Sequence, residues 1–160
     1  MIYPVTISTK TGTANYDPRI QFLAYDNIGN VQSVSKVNGP KISYIYGYGG
    51  GYPVAQATNA DYSAVVTALG RAAAIQSFRD NLNPSDATVS SFLAPLRTNP
   101  SLSSAQVVTY TYKPLFGVTS TKDEKGENTT FEYDNFQRLQ NIKDQNGNIV
   151  KNYDYHYGAQ

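Results

Sequence analysis

The stretch FEYDNFQRLQNIKDQNGNIVKNYDYHY, residues 131–157, contains the pattern that decides the fold. A Tyr-Asp pair near its start is followed by an Asn-Gly pair and then by a second group of tyrosines. Counted from Tyr133, Gly147 lies fourteen residues on and Tyr155 twenty-two residues on. Asn-Gly between two short runs rich in β-branched and aromatic residues is a strong signal for a β-hairpin.

The same spacing occurs twice more in the chain. The origin, the glycine and the following tyrosine are Tyr25, Gly39 and Tyr46 in the first unit, Tyr112, Gly126 and Tyr133 in the second, and Tyr133, Gly147 and Tyr155 in the third. The sixth residue after each origin is apolar, namely Val31, Val118 and Leu139. Self-similarity at a fixed period indicates a repeat architecture, here with a unit of about 21 residues.

Each unit is predicted to be an antiparallel β-hairpin followed by a turn into the next. The pairs ending in Gly39, Gly126 and Gly147 supply a residue that tolerates positive φ where the strands reverse. Alternation places Ile42, Tyr44, Tyr46 and Tyr48 on one face of the first unit, and Ile149, Lys151, Tyr153, Tyr155 and Tyr157 on one face of the last. A lone hairpin is marginal in water. We therefore expect neighbouring hairpins to cover these aromatic faces in an extended or spiralling sheet.

An aspartate follows the key tyrosine directly at two origins. An Asp side chain beside a sharp turn can accept backbone N–H groups two residues on. We therefore interpret Asp26 and Asp134 as structural residues that fix the exit from a strand, with Gly29 supplying flexible backbone nearby.

Residues 59–106 change to helical spacing. The first predicted helix has Asn59 as N-cap and Gly70 as stop, and its apolar residues are Tyr62, Val65, Val66 and Leu69. The apolar residues of the second are Ala74, Ile75, Phe78 and Leu82. The third follows Asn83-Pro84-Ser85-Asp86, is ended or bent by Pro95, and has the apolar residues Val89, Phe92, Leu93 and Leu96. The predicted fold class is α+β, mainly β, in one continuous structural domain. Its parts are hairpins in 1–58, a helical insertion in 59–106 and two further hairpins in 107–160, the alternative being a separate helical module.

Composition excludes several classes of function. The 160 residues include 13 Lys+Arg and 12 Asp+Glu, a formal net charge of +1, and neither sign forms a long run, so no nucleic-acid partner is predicted. No apolar stretch is long enough to span a membrane, so no membrane insertion is predicted. Many Gly, Asn, Ser and Thr residues with 14 Tyr and no Trp form a β-rich composition common outside the cytosol, whereas the absence of Cys leaves the redox compartment open. The first residues lack a signal-peptide pattern, so export is expected as part of, or together with, a larger protein.

No catalytic, cofactor or metal site is predicted. His156 is the only histidine, and no Gly-x-Ser-x-Gly motif provides a nucleophile. The acidic turns at 123–126 and 144–148 resemble a shortened cation loop without the bidentate acid that calcium requires, so a weak Ca²⁺ site is only an alternative. Hydrolysis by two turn carboxylates, Asp134 and Asp144, is a weaker alternative still.

Three of these motifs resemble the YD repeats of RHS proteins: YDNIGNV at 25–31, FEYDNFQRL at 131–139 and YDYHY at 153–157. The block 109–134 and the stretch GGGYPVAQATNA at 49–60 with its helical insertion are similar to the C-terminal region of large RHS-repeat proteins of the Bacteroidota type. The resemblance extends from about residue 20 to the end. The chain departs from the family pattern at Gln137, where the family usually has Gly, and after Tyr112, which Lys113 follows instead of Asp.

The resemblance implies a large secreted or cell-surface polypeptide whose hairpins spiral into a shell. On that basis the first hypothesis is a non-enzymatic structural module, extracellular or at the cell surface, that docks to further repeats of a longer chain or to a protein partner. The second is a binding module whose exposed tyrosines recognise a glycan or another surface polymer.

Overall fold

The computed structural model describes residues 2–156. Tyr157, predicted to continue the last aromatic face, lies outside the described residues. The strands are β1 (Thr6–Thr9), β2 (Asp17–Tyr25), β3 (Val31–Lys36), β4 (Lys41–Gly47), β5 (Tyr52–Thr58), β6 (Gln106–Lys113), β7 (Gly117–Lys122), β8 (Asn128–Tyr133), β9 (Leu139–Lys143) and β10 (Ile149–Asn152). The helices are α1 (Tyr62–Ala68), α2 (Arg71–Asp80), α3 (Asp86–Leu93) and α4 (Pro95–Thr98), with short 3₁₀ turns at Tyr48–Gly50 and Pro100–Leu102.

The strands form a single antiparallel sheet in which each strand pairs with its neighbours in the chain, so that β2 to β9 have two partners and the outer strands have one. This order, β1 to β10 without a crossover, confirms the prediction of successive antiparallel hairpins and of a mainly β fold. The helices lie between β5 and β6 in the chain, so the sheet continues across the insertion by pairing β5 with β6 directly.

The helices pack on one face of the sheet, here called the helix face. Ile45 and Ala55 of the central strands are 2% and 1% exposed there and share one apolar core with Val65, Phe78 and Leu93 of the helices. Ser43 also points to this side, since its hydroxyl donates to the carbonyl of Ala60 at 2.9 Å. The small side chains of β3 to β5 let the helices approach the sheet closely.

The other face of the sheet, here called the open face, carries larger side chains that remain half-exposed. They include Phe22, Val34, Ile42, Tyr44, Val108, Tyr110, Phe131 and Ile142. The prediction that neighbouring hairpins cover the aromatic face is wrong for the described residues, because adjacent hairpins pair through their edges within one sheet and do not stack over the open face. Tyr48 leaves the predicted face altogether: it lies in a 3₁₀ turn and is buried in the core.

The helix boundaries differ from the prediction at three points. The N-cap of α1 is Asp61, while the side chain of Asn59 donates to the carbonyl of Ser104. Helix α2 ends at Asp80, which leaves Leu82 outside the helix. Ser85 of the predicted capping segment accepts from the Thr88 N–H, and α3 ends at Leu93 ahead of Pro95, which is one of the two predicted outcomes. Pro95 then begins the short helix α4, so Leu96 lies in α4 and not in α3. Proline suits a first helical position because its missing N–H has no partner there.

Candidate interaction site: hairpin clamps and strand edges

A tyrosine hydroxyl clamps each successive hairpin. The tyrosine lies at or near the end of an even-numbered strand, and its hydroxyl donates to a backbone carbonyl at the start of the strand before it, or just ahead of that strand. The bonds run from Tyr25 to Pro4 (2.6 Å), Tyr46 to Val31 (3.2 Å), Tyr112 to Pro53 (2.9 Å), Tyr133 to Val118 (2.9 Å) and Tyr155 to Leu139 (2.8 Å). The tyrosines at both ends of each predicted unit therefore perform the same task.

The three unit origins also share one backbone setting. Tyr25 pairs with Val31, Tyr112 with Val118 and Tyr133 with Leu139, in each case the sixth residue on. The register then shifts in each pair, because the seventh residue after the tyrosine is left without a partner in the ladder. The unpaired residues are Gln32, Thr119 and Gln140. A β-bulge thus recurs at one position of the unit.

The turn aspartates bind backbone N–H groups as predicted. The Asp26 carboxylate accepts from the N–H of Ile28 at 3.0 Å and of Asn30 at 2.8 Å, and Asp134 makes the equivalent bonds to Phe136 and Arg138. Asp123 and Asp144 form the same turn, so the two acidic segments considered as cation loops use their carboxylates to close hairpins.

In the turns at Asp26, Asp134 and Asp144 a side chain binds the second carboxylate oxygen. In the turn at Asp134 the guanidinium of Arg138 binds it, with the Nη2 to Oδ2 distance at 2.6 Å. Desolvation opposes ionisation, but the bonds from Arg138 and Phe136 lower the pKa of Asp134 overall. The side chain and N–H of Asn148 likewise lower the pKa of Asp144.

The turn at Asp26 obtains its arginine from the helical insertion. Asn30 and Arg79 of α2 both donate to Asp26 Oδ2, at 3.1 and 3.3 Å, and Arg79 also donates to the side-chain oxygen of Asn27. The Asp26 and Arg79 side chains are 5% and 12% exposed. This buried ion pair attaches the first repeat turn to the helices, so the insertion and the hairpins are mechanically linked.

The predicted turn glycines all lie where strands reverse, but one of them differs in conformation. Gly126 and Gly147 have φ of 88° and 82°, and Gly29 has φ of 96°. In the β3–β4 turn the left-handed residue is Asn38, with φ of 58°, and not Gly39. Asn tolerates the left-handed region better than most residues, so the turn does not need its glycine there.

The remaining predicted tyrosines lie on different parts of the sheet. Tyr44 projects from the open face of β4. Tyr153 follows β10 directly; its N–H donates to the carbonyl of Gln140, and the Lys151 ammonium lies 4.8 Å from its ring centroid. Tyr155 is 41% exposed, and the Arg138 guanidinium lies 4.2 Å from its ring centroid.

The two outer strands leave one backbone edge each without a strand partner in the described part of the chain. β1 pairs only with β2, and β10 pairs only with β9. All four residues of each outer strand are exposed. Unpaired N–H and C=O groups on a strand edge are a template for another strand.

The remaining candidate reactive groups are the acidic side chains, His156 and a groove beside the helices. Residues 2–156 contain no group of three or more His, Asp or Glu side chains able to hold a metal ion. His156 is 85% exposed beside Asp154, with a nitrogen–oxygen distance of 3.1 Å. A groove of about 280 Å³ between α1, α2 and the sheet is lined by Tyr62, Gln32 and Arg79 among others, and its acid, Asp26, is already bonded within its turn. None of the helices in the described range is long and apolar enough to cross a membrane.

No protein-family model matches the chain, and no curated protein matches it significantly.

Sequence reasoning found the tyrosines and aspartates of the repeat and the backbone N–H groups that the aspartates bind, but missed the acceptors of the tyrosine hydroxyls and the arginine bound to Asp26. The carbonyls of Pro4 and Pro53 accept hydroxyls, although neither lies at the sixth position of a unit. Arg79 lies in the insertion, and its helix carries no feature that indicates a partner fifty residues away. Such partners depend on how the helices dock, which a local pattern does not encode.

Proposed function

We propose that the chain is a non-enzymatic structural module of the YD-repeat (RHS) type, part of an extended hairpin scaffold of an exported or cell-surface bacterial protein, and that its strand edges dock to further repeats or to a partner protein. The observation that carries this proposal is the recurrence of one clamp, one paired position and one bulge at Tyr25, Tyr112 and Tyr133. A geometry that recurs at a fixed interval can be continued by adding units.

The C-terminal strands support the proposal because they have no buried core of their own. Between residues 112 and 156 no residue is buried. Sheets of this size usually bury one face against another layer. Strands β7 to β10 instead rely on ladder hydrogen bonds, clamps and turns, so their stability depends on having neighbours. This dependence on neighbouring strands is expected of a scaffold in which each added hairpin stabilises the one before it.

Duplicating one unit tests the proposal. A second copy of residues 134–155 inserted directly after Tyr155 recreates the Tyr133-Asp134 junction. We expect the added unit to pair with β10 and to raise the midpoint of urea unfolding, because a repeat array gains one nearest-neighbour interface per unit. Slower amide exchange in β9 and β10 should accompany the rise.

The matched control is the same insertion with its tyrosine and aspartates changed, Tyr155→Phe, Asp134→Asn and Asp144→Asn within the added copy. This control has the same length and nearly the same side-chain sizes but lacks the clamp and the turn carboxylates. Equal stability of the two insertions, or no gain from either, would contradict the scaffold proposal. Protease accessibility on intact cells of the producing bacterium tests the proposed surface location separately.

A second candidate function is binding of a glycan or another surface polymer. Tyr44 and Tyr110 remain half-exposed on the open face, and aromatic rings of this kind stack on the apolar faces of sugars. In a polysaccharide pull-down we expect Tyr44→Ala to lose retention if this function holds. Tyr16→Ala is the control, because Tyr16 is 72% exposed but lies outside the strands that carry Tyr44 and Tyr110. The polysaccharide-binding function would be contradicted if Tyr44→Ala and Tyr16→Ala were both retained. It would also be contradicted if the unchanged chain and both variants failed to be retained.

A further inference from the structure

The two free edges of the sheet are complementary to each other. Adjacent strands alternate in direction along the sheet, and the sheet has ten strands, so β10 runs opposite to β1. A second copy placed beside β10 with its β1 inward therefore continues the antiparallel alternation. No reversal of the second copy is needed, and its helix face stays on the same side.

The direction of the backbone N–H and C=O groups supports one register between β10 and the β1 of a second copy. The Phe22 N–H binds the Val5 carbonyl, so alternation turns the backbone groups of Thr6 outward, to the free edge of β1. At the other end the Tyr153 N–H binds the Gln140 carbonyl, and alternation turns the groups of Asn152 outward. Thr6 and Asn152 thus both present an N–H and a C=O that no strand within residues 2–156 pairs with.

Face also agrees for this pair. Thr6 pairs with Gln21, which pairs with the buried helix-face residue Ser35. Asn152 pairs with Asn141 and donates to its side chain at 2.7 Å, and Asn141 donates to Glu132, so these three side chains share one face. Glu132 lies two residues from Thr130, which therefore has the same face. Across β7, Thr130 is aligned with the buried Thr111 of the helix face. Both side chains lie on the helix face. A Thr6–Asn152 pair therefore preserves the alternation of backbone hydrogen bonds and keeps the two side chains on the same face of the sheet.

The edges carry little that would prevent pairing. Natural sheets protect edges with charge, proline or a covering segment. β1 has the sequence TIST and β10 has IVKN, which together hold one charged residue, Lys151, and no proline. Ile7, Ile149 and Val150 are 45%, 56% and 62% exposed. Such β-branched, nearly neutral edges favour strand addition.

We propose that the β10 edge of one copy binds the β1 edge of a second copy, head to tail, with Asn152 opposite Thr6. This inference rests on the proposed scaffold function, since both use the same edges, and it names a second copy of this chain as the occupant. Because the contact joins two different surfaces, it does not close on itself in a pair, and longer assemblies form as concentration rises.

Two edge-blocking variants test the proposal. Proline removes an outward N–H without removing a backbone bond inside the sheet, so Thr6→Pro blocks β1 and Asn152→Pro blocks β10. Asn152→Pro also removes the side-chain bond to Asn141, and Asn152→Ala is the control for that loss because it keeps the outward N–H. By light scattering we expect the unchanged chain to show a mass that rises with concentration above the 17.6 kDa monomer. Each variant alone should stay monomeric, and an equimolar mixture should stop at twice the monomer mass, since one free edge of each kind remains. Circular dichroism confirms that both variants fold.

The pattern of outcomes separates the alternatives. A variant that dimerises alone shows pairing between like edges and overturns the head-to-tail contact. An unchanged chain that stays monomeric at all concentrations overturns self-assembly. If that monomer still gains stability from the added repeat unit described above, the scaffold proposal stands while the second copy is excluded as the occupant.

Disulfide trapping gives a readout that does not depend on proline. The chain has no cysteine, so single cysteines are unambiguous. With Asn152 opposite Thr6, Ile7 lies opposite Lys151 in the non-hydrogen-bonded position where Cβ atoms come closest. Mixed Ile7→Cys and Lys151→Cys proteins should cross-link under mild oxidation, and each alone should not. Ile7→Cys mixed with Gln145→Cys, which lies in the β9–β10 turn, is the matched control; equal cross-linking of both mixtures would overturn the register.

Discussion

Strands β4–β6 and strands β7–β10 belong to one sheet, but different interactions hold them together. The first group buries Ile45, Ala55 and Val107 beneath the helices. The second group contains no buried residue and depends on backbone pairing, hydroxyl clamps and ion pairs such as Glu132–Lys143, whose atoms are 2.5 Å apart. Similar hairpins can therefore be stabilised either by a core or by polar contacts repeated in every unit.

The two groups should differ in local stability. A fully buried aliphatic side chain contributes about 1.5–3 kcal/mol, whereas a net hydrogen bond contributes about 1 kcal/mol. Regions with few buried apolar contacts open at lower free energy than the core. We expect the C-terminal hairpins to exchange their amide hydrogens before the helix-covered strands do.

The largest expected effect comes from one truncation made in both groups. Ile45→Ala removes a side chain that is 2% exposed and should lower the free energy of unfolding by about 3 kcal/mol, because it leaves a cavity beneath the helices. Ile142→Ala removes a half-exposed side chain of β9 and should cost about 1 kcal/mol. Urea unfolding measures both. Equal losses would show that the C-terminal hairpins have a core of their own.

Removing one clamp should weaken the C-terminal group alone. Tyr133→Phe deletes the hydroxyl that binds the Val118 carbonyl at 2.9 Å and should cost about 1 kcal/mol. Amide exchange should accelerate in β7 and β8 and stay unchanged in β4 and β5. Tyr16→Phe, at a side chain 72% exposed, is the control and should leave exchange unchanged. Faster exchange throughout the sheet would mean that the two groups unfold as one.

A pair of turn substitutions sharpens the comparison within the C-terminal group. Gln137 has φ of 65° at the turn position where Gly147 has φ of 82°. Gln137→Gly should stabilise the protein by about 1 kcal/mol, and Gly147→Gln should destabilise it similarly, because the left-handed region strains residues with a Cβ. A Cβ at Gly147 meets nothing within 4 Å, so the cost is conformational. Thermal unfolding measures both, and shifts of the same sign would contradict equivalence of the turns.

The smallest expected effects are opposite responses to pH. Bonds from Lys143 and Asn141 lower the pKa of Glu132, and the pKa values of Asp134 and Asp144 are lowered as well. Their stabilisation is present above the unfolded pKa values near 4 and is lost as pH falls through the lower folded values. We expect acid to lower the amide protection factors, which correct for the intrinsic exchange rate, in β8–β10 first, with Asp134→Asn abolishing part of that response.

Alkali should act at the boundary with the covered strands. Burial, followed by the neighbouring tyrosines, raises the pKa of Tyr112 to about 12. Its stabilisation is present below pH 10 and is lost as pH rises through the folded value. Ultraviolet absorbance measures the ionisation of tyrosine as pH rises, and amide exchange in β6 measured over the same pH range shows whether the strand loosens with it. Loosening of β10 before β6 at high pH would contradict it.

Sequence spacing predicted the hairpins well because each unit is a local structure. The strand, the Asp turn and the glycine turn all form within about 21 residues, and the tyrosine spacing of 21 or 22 corresponds to one clamp per unit. The open face was not predicted, since alternation shows which side chains share a face but not whether another layer covers it. The Asp26–Arg79 pair was also missed, because it depends on helix docking.

The bulge that recurs at Gln32, Thr119 and Gln140 has a consequence for any longer array. A bulge bends its strand and increases the local right-handed twist. When it appears once per unit at the same place, every unit contributes an equal rotation, and the curvature accumulates in proportion to length. The pitch of such a coiled ribbon would then be set by a single unpaired residue in each period.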